Sequence, residues 1–155
     1  MKTTGPWDSQ QLEKHLSEST IPLRLACSGR SGWPLVVSLW YLYRDGRLWC
    51  ACQKDSTVIS FLENDPRCAF EVAGDQPPYR GARGRGRATL DRARGGEILE
   101  ALLGRYDISP RAGLGRWLLS RRDAEVAIGI EPTWLGSWDF TERMSPDEDR
   151  TKVER

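Results

Sequence analysis

Hydrophobic residues alternate with polar ones along most of this chain, and only a few stretches switch to helical spacing. Residues 22–27 (PLRLAC) read as a strand, and the Ser- and Gly-rich residues 28–32 as a turn. Residues 34–43 form a long β-branched and aromatic run with strand propensity. Asp45-Gly46 follows, the strongest short hairpin signal, and residues 47–52 return as the partner strand. Residues 68–73 and 82–91 are two further strands flanking a loop at 74–78. Near the C-terminus, Val126, Ile128 and Ile130 alternate in a strand over 125–131. Pro132 is expected to break it, and residues 133–140 form the last strand.

Helical spacing predicts four helices. In residues 8–18, Leu12 and Leu16 form an i, i+4 apolar pair, with Asp8 as cap and Gln11 as its capping-box partner. In residues 55–63, Asp55 or Ser56 caps and Val58, Ile59 and Leu62 form the apolar face. Asn64-Asp65-Pro66 stops this helix, because proline restricts its predecessor. Residues 95–106 bury Ile98, Leu99, Leu102, Leu103 and Tyr106. Residues 114–121 carry Trp117 and Leu118 on their apolar side. The sum is six or seven short strands, mostly hairpin-linked, with helices at the periphery. That order predicts a mainly β, closed antiparallel barrel rather than a βαβ sheet. One domain spans residues 1–140. Residues 141–155 are charged and poor in apolar side chains, which predicts a disordered tail.

Composition narrows the function. A chain of 155 residues is long enough for one real core. Its hydrophobic fraction, 39%, is low, but seven Trp offset this, since each aromatic buries ~150–250 Å². Lys plus Arg is 23 against 22 Asp plus Glu, which is not the strongly basic balance of a nucleic-acid-binding domain. That balance also gives no electrostatic reason for a membrane-surface partner. No apolar run approaches the ~18 residues of a spanning helix, and the polar N-terminus lacks a signal core, so a cytoplasmic protein is expected. Cys27, Cys50, Cys52 and Cys68 read as reduced structural thiols, and with His15 the sole histidine they supply no zinc set.

Protein-borne catalysis finds little support. There is no Gly-x-Ser-x-Gly elbow, no His-Glu-x-x-His and no Walker loop, and His15 is expected at the surface. A small barrel of this kind suits a cofactor that brings its own chemistry. The run Tyr79–Arg87 alternates Arg with Gly or Ala and admits three readings: an RNA-binding Arg-Gly segment, a solvated strand face, or an anion- or cofactor-facing strand. The joint at residues 51–57 is a strand end followed by a helix start, where unsatisfied N–H groups and the helix dipole favour an anion. Lys54, one of only four lysines, lies there with Ser56 and Thr57. Ordinary capping by Ser56 is one reading; a phosphate pocket is the other.

These residues resemble the pyridoxamine 5′-phosphate oxidase-like family of flavin-binding split barrels. The matching pieces are PLRLACSGRSGWPLVVSLWYLYRDGRLWCAC, DSTVISFLENDPRCAFEVAGD, PYRGARGRGRATL and EVAIGIEPTWLGSWDF. The resemblance implies a six-stranded antiparallel split barrel that forms a homodimer, with two flavins in clefts between the subunits. FMN is the usual ligand; some members use a deazaflavin coenzyme and a few bind haem. It further implies that Val36, Val37, Ser38, Leu39 and Trp40 line the ring, with Ala51 and Cys52 beside it. Ser56 matches the family's helix-start serine, and Arg80 its arginine before the small-residue strand. Trp138 matches the tryptophan that approaches the partner's cofactor. Three positions depart from the family pattern: Val58 replaces a phosphate-holding lysine, Phe61 an asparagine and Gly81 a polar residue.

The sequence thus leads to an FMN-binding oxidoreductase acting on a small molecule. Gln53, Lys54, Ser56 and Thr57 are expected at the phosphate, Lys54 standing in for the missing lysine. The alternatives are a deazaflavin-dependent reductase, with Arg83, Arg85 and Arg87 along the coenzyme's anionic tail, and a non-catalytic flavin- or haem-binding module.

Overall fold

The computed structural model describes residues 2–145. Among these residues, eight strands and five α-helices follow one another. The strands are β1 (Lys2–Thr4), β2 (Leu23–Ser28), β3 (Pro34–Leu39), β4 (Leu42–Arg44), β5 (Arg47–Gln53), β6 (Arg67–Ala73), β7 (Arg80–Asp91) and β8 (Glu125–Asp139). The helices are α1 (Ser9–Glu18), α2 (Thr57–Asn64), α3 (Gly95–Arg105), α4 (Gly113–Leu119) and α5 (Thr141–Met144). The strands form one curled sheet in the order β3-β2-β6-β7-β8-β5-β4, with β1 added to β8 as its single parallel pair. The mainly β, split-barrel expectation is met, with eight strands in place of six.

The two extra strands have identifiable causes. The run at 34–43 is not one strand. It divides at Trp40 and Tyr41 into β3 and β4, which are the two edges of the sheet. β3 pairs only with β2, and β4 only with β5, so the sheet splits at a joint two residues long. The other addition is β1, which the polar N-terminus did not signal. Pro132 also fails to end a strand: β8 runs through it. A register shift opposite Arg85 and Gly86 leaves Thr133 without a partner, and its hydroxyl donates to the Arg85 carbonyl at 3.1 Å. A bulge is where a strand tolerates a residue without an N–H.

Alternation sorts the side chains into two cores. Leu23, Leu25 and Cys27 of β2, Leu48 and Cys50 of β5, Phe70 and Val72 of β6, and Ile128, Ile130 and Leu135 of β8 fill the interior. Leu12 and Leu16 of α1 and Val58, Ile59 and Leu62 of α2 close it. On the opposite face of β5 and β8, Trp49 and Ala127 receive Ile98 and Leu102 of α3, joined by Leu42. Asp8 caps α1 with the reciprocal Gln11 bonds that the sequence predicts. Asp45 and Gly46, both left-handed at φ 53° and 71°, make the expected β4–β5 hairpin. β7 keeps its predicted faces: Gly84, Gly86 and Ala88 are buried, while Arg83, Arg85 and Arg87 point outward. Gly84 is needed there, since a Cβ would lie 2.5 Å from the Phe70 ring.

Other expectations are corrected. In α4 only Gly115 is buried, and Trp117 is 54% exposed instead of packed. His15 is half-buried, not a surface residue: its Nε2 lies 2.9 Å from the Val72 carbonyl and its ring 4.9 Å from Trp7. The tail expected from residue 141 begins with one helical turn, α5, and residues 146–155 lie outside the described residues. Among the described residues, no helix is long and apolar enough to cross a membrane.

The split joint is fixed from both sides. Tyr41 is fully buried, and its hydroxyl reaches the Leu16 and Ser19 carbonyls at 2.9 and 3.2 Å. Burial pushes its phenol up to about 12. A phenol in the unfolded chain titrates near ~10, so this group's contribution is complete below that pH and is lost as pH rises towards 12. Chemical denaturation between pH 9 and 12 should show stability falling by about 2 kcal/mol from Tyr41 alone. The buried thiols of Cys50, Cys52 and Cys68, also pushed up, add to the slope. Tyr41→Phe should cost about 1 kcal/mol at neutral pH and flatten the slope; equal slopes in the two proteins would contradict the assignment.

Candidate functional site

The split in the sheet opens onto a groove. Ser38 and Leu39 of β3, Trp40 at the joint and Ala51 of β5 form one wall. Leu99 and Leu102 of α3, Leu114 and Leu118 of α4 and Glu125 of β8 form the other, enclosing about 310 Å³. Trp40 faces outward and stacks on Tyr106, ring centres 5.1 Å apart and 18° from parallel. The predicted ring-lining strand therefore divides by pleat. Val36 and Ser38 are exposed, whereas Val37 and Leu39 turn half-buried towards the interior core. Leu39 still borders the groove, and Val37 does not.

Beyond Ala51 the joint is arranged differently from a simple cap. Ser56 occupies the N-cap position of α2 in extended backbone, but its hydroxyl donates to the Gln53 carbonyl at 2.7 Å and caps nothing. The first N–H groups of α2 thus have no side-chain acceptor, which keeps this end open to an anion. Lys54 and Thr57 are exposed beside it. The Lys54 backbone N–H donates to the Ala124 carbonyl at 2.8 Å, which ties the joint to the approach of β8. Val58 is 4% exposed and belongs to the interior core, so a longer charged side chain would find no room in that direction. Cys52 faces the interior, and burial pushes its thiol up to about 12, so it is no nucleophile near neutral pH.

Glu125 is the groove residue that sequence patterning missed. It is 5% exposed and is the one buried charged side chain among the described residues. Its carboxylate accepts from Gln53 Nε2, which also donates to the Arg121 carbonyl at 3.3 Å. Burial pushes the carboxyl above its usual range, partly countered by the Gln53 hydrogen bond and by Arg121. In sequence Glu125 merely opens an alternating strand. Its single available signal is register, which sets it directly opposite Gln53.

Arg80 and Trp138 stand elsewhere. They sit on neighbouring strands at the far end of β8, where Arg80 pairs with Asp139 and Gly81 with Trp138. Val126, opposite Cys52, is twelve residues back along β8, about 40 Å of strand. The Trp138 ring lies across Gly81, where a Cβ would be 2.8 Å away, so a polar side chain at that position is excluded. Arg80 lines a separate cavity of about 770 Å³ with Trp7, Lys14, His15 and Asp139. One chain therefore brings together Ser38, Leu39, Trp40 and Ala51, with Gln53, Lys54, Ser56 and Thr57 at the adjoining joint, but not Arg80 or Trp138.

Folding opposes the charge on Glu125, so its neutral form is favoured more strongly in the native state than in the unfolded chain. Its contribution to stability is present at low pH and is lost as pH rises through its native titration. Glu125→Gln should accordingly raise the melting temperature at pH 7 and leave it unchanged near pH 4. A variant less stable at pH 7 would show that the ionised carboxyl is well compensated.

Comparison with known proteins agrees with this geometry at the level of fold. No family model and no curated protein matches the chain. A conserved hypothetical protein of Mycobacterium tuberculosis superposes with a TM-score of 0.75 at 22% identity, covering 92% of this chain and 91% of that one. An F420 reductase superposes with a TM-score of 0.69 at 21% identity, covering 84% and 98%. A FAD-binding protein of Mesorhizobium loti gives 0.63 at 19% identity, covering 84% and 94%. In its fold the chain is a split barrel like these proteins.

Proposed function

We propose that the chain binds a flavin-type cofactor, FMN in the first instance, and acts as an oxidoreductase on a small molecule. The observation that carries this reading is how near the groove comes to the open start of α2 along the chain. Trp40, Leu39 and Ala51 wall an apolar slot whose Glu125 is hydrogen-bonded to Gln53, and a few residues further on α2 begins with N–H groups that have no side-chain acceptor and with Lys54 beside them. A ring system and an anionic tail are the two parts that such a site accommodates. Proteins of the same fold described as FAD-binding and as F420 reductase support it. When bound, the flavin supplies hydride or electron transfer, and the chain supplies binding and orientation. Ser38, Trp40 and Ala51 would lie along the ring, and Lys54, Thr57 and the N–H groups of α2 at the phosphate. Cys52 and Val37 have structural places in the interior.

A volume of about 310 Å³ is at the small end of ligand sites, and the groove is open on one side. A second copy of the chain covering it would complete a cleft and bring Arg80 and Trp138 to the cofactor, so a homodimer is part of the proposal. A deazaflavin coenzyme is the second reading. Arg83, Arg85 and Arg87 favour it, since they point outward in a row and none takes part in an ion pair among the described residues. A haem reading gains nothing from His15, which is held by Val72 and Trp7 outside the groove.

Titration with FMN, followed by flavin fluorescence, tests the first reading; fluorescence that stays unquenched up to millimolar protein would rule it out. Lys54→Ala should weaken FMN about tenfold, as loss of a charge-assisted contact does, while riboflavin, which lacks the phosphate, binds as before. Sedimentation should report twice the 17.6 kDa protomer mass. Trp138→Ala should then weaken FMN without altering that mass, and a monomer that binds FMN fully would remove Trp138 from the site.

A further inference from the structure

Glu125 has more hydrogen-bonding capacity than the protein uses. An ionised carboxylate accepts about four hydrogen bonds, and the described residues supply one, from Gln53. The neighbouring groups are accounted for on every side. From β5 come the Cys52 thiol and the Gln53 amide; from the turn after α4 comes the Arg121 guanidinium, close enough to act on the carboxyl but not hydrogen-bonded to it. From α3, Gly95 presses on the Glu125 backbone, Arg94 pairs with Glu97, and Glu100 pairs with Arg122. Glu125 borders the groove together with the exposed residue Ser38. While the groove is open, water can meet the remaining acceptor sites. A flat ligand that closes the groove removes that water, and a carboxylate buried without a donor is penalised. An anionic group at this end would be repelled as well.

We propose that Glu125 reads the ring edge of the ligand: it accepts a hydrogen bond from a ring N–H flanked by carbonyls, the imide of an oxidised flavin or deazaflavin. This assignment rests on the flavin reading and specifies which part of the ring faces β8. It makes the groove selective for rings that carry such a donor over equally flat rings without one. It also fixes a sign. With an N–H donor, the bound state favours the carboxylate, so acid weakens binding. Without a donor, closure of the groove favours the protonated carboxyl, so acid strengthens binding.

The probes are FMN and its N3-methyl derivative, in which a methyl group replaces the imide hydrogen. Each is titrated into the full chain at pH 8 and pH 5 by fluorescence quenching. The ratio of the two affinities is compared, because titration of the phosphate cancels in it. The expected result is at least tenfold preference for FMN at pH 8, falling at pH 5. In Glu125→Met, which has similar length and no acceptor oxygen, the preference should drop below threefold. The methyl probe on the unaltered chain decides the matter even where the variant does not fold. Equal binding of the two flavins at pH 8, or a preference that grows in acid, overturns the assignment while leaving the flavin reading intact. Binding of neither flavin overturns the flavin reading and this assignment with it.

Discussion

A curled sheet must end somewhere, and here both ends meet at two consecutive residues. Trp40 and Tyr41 separate β3 from β4, the two ends of the main strand order. Pleating sends their side chains in opposite directions. Tyr41 points in and is bound to the carbonyls at the end of α1, where Arg105 also donates to Ser17 and Ser19 at 2.7 and 2.6 Å. Trp40 points out and stacks on Tyr106, just past α3. The inward anchor holds a helix over the barrel mouth, and the outward one sets the floor of the groove. The β4 edge is too short to be a template for another strand, being three residues long.

The rest of the sheet follows from this placement. Since the split lies between β3 and β4, the long central strands β7 and β8 have to carry the curvature. β7 does so with glycines at buried positions, and β8 with the bulge at Thr133. The same close packing explains why Gly81 is not polar: the Trp138 ring occupies that space. Arg83 and Arg85 stack on the outer sides of Trp138 and Trp134, each 5.5 Å from the ring centre. The alternating Arg-Gly run is thus an ordinary strand with one face against the interior, and its composition describes packing before any ligand.

Elements whose signal is local were legible in the sequence. The Asp8 capping box, the Asp45-Gly46 hairpin, α3 and the two faces of β7 depend on neighbours a few residues away, and the structure has them. What escaped depends on partners distant in sequence. The break at Trp40 is imposed by Tyr106 and by the end of α1, so a run with uniform strand propensity hides it. Pro132 looked like a terminator because the bulge that accommodates it belongs to the pairing with β7. The helix-start serine was visible, but its hydroxyl turns back to Gln53, a choice no pattern reveals. Trp117 appeared to belong to an apolar face because α4 is short, and its tertiary neighbours cover little more than Gly115. Of the site residues, those on β3 and β5 share a groove because a hairpin brings them together. Arg80 and Trp138 are at the other end of β8, where only a second chain could join them to it.

Charge at the joint separates two kinds of site that otherwise resemble each other. A phosphate cradle needs positive potential, and the start of α2 with Lys54 offers some on one side, with the Asp55 carboxylate next to it in the chain. Across the pairing of Gln53 with Glu125 stands a buried carboxyl. The two cannot both face the same anion. Gln53 resolves the conflict by spending its amide hydrogens on Glu125 and Arg121, which leaves it none for a phosphate. The position where the resemblance would put a phosphate-holding lysine is Val58, whose side chain lies in the interior core. On the proposed flavin reading, the anionic end of the ligand would lie at Lys54, Thr57 and the helix N–H groups, and the groove beside Glu125 would take a neutral, hydrogen-bond-donating edge. That asymmetry would then orient the ligand, since apolar walls of leucine and tryptophan accept a flat ring either way round.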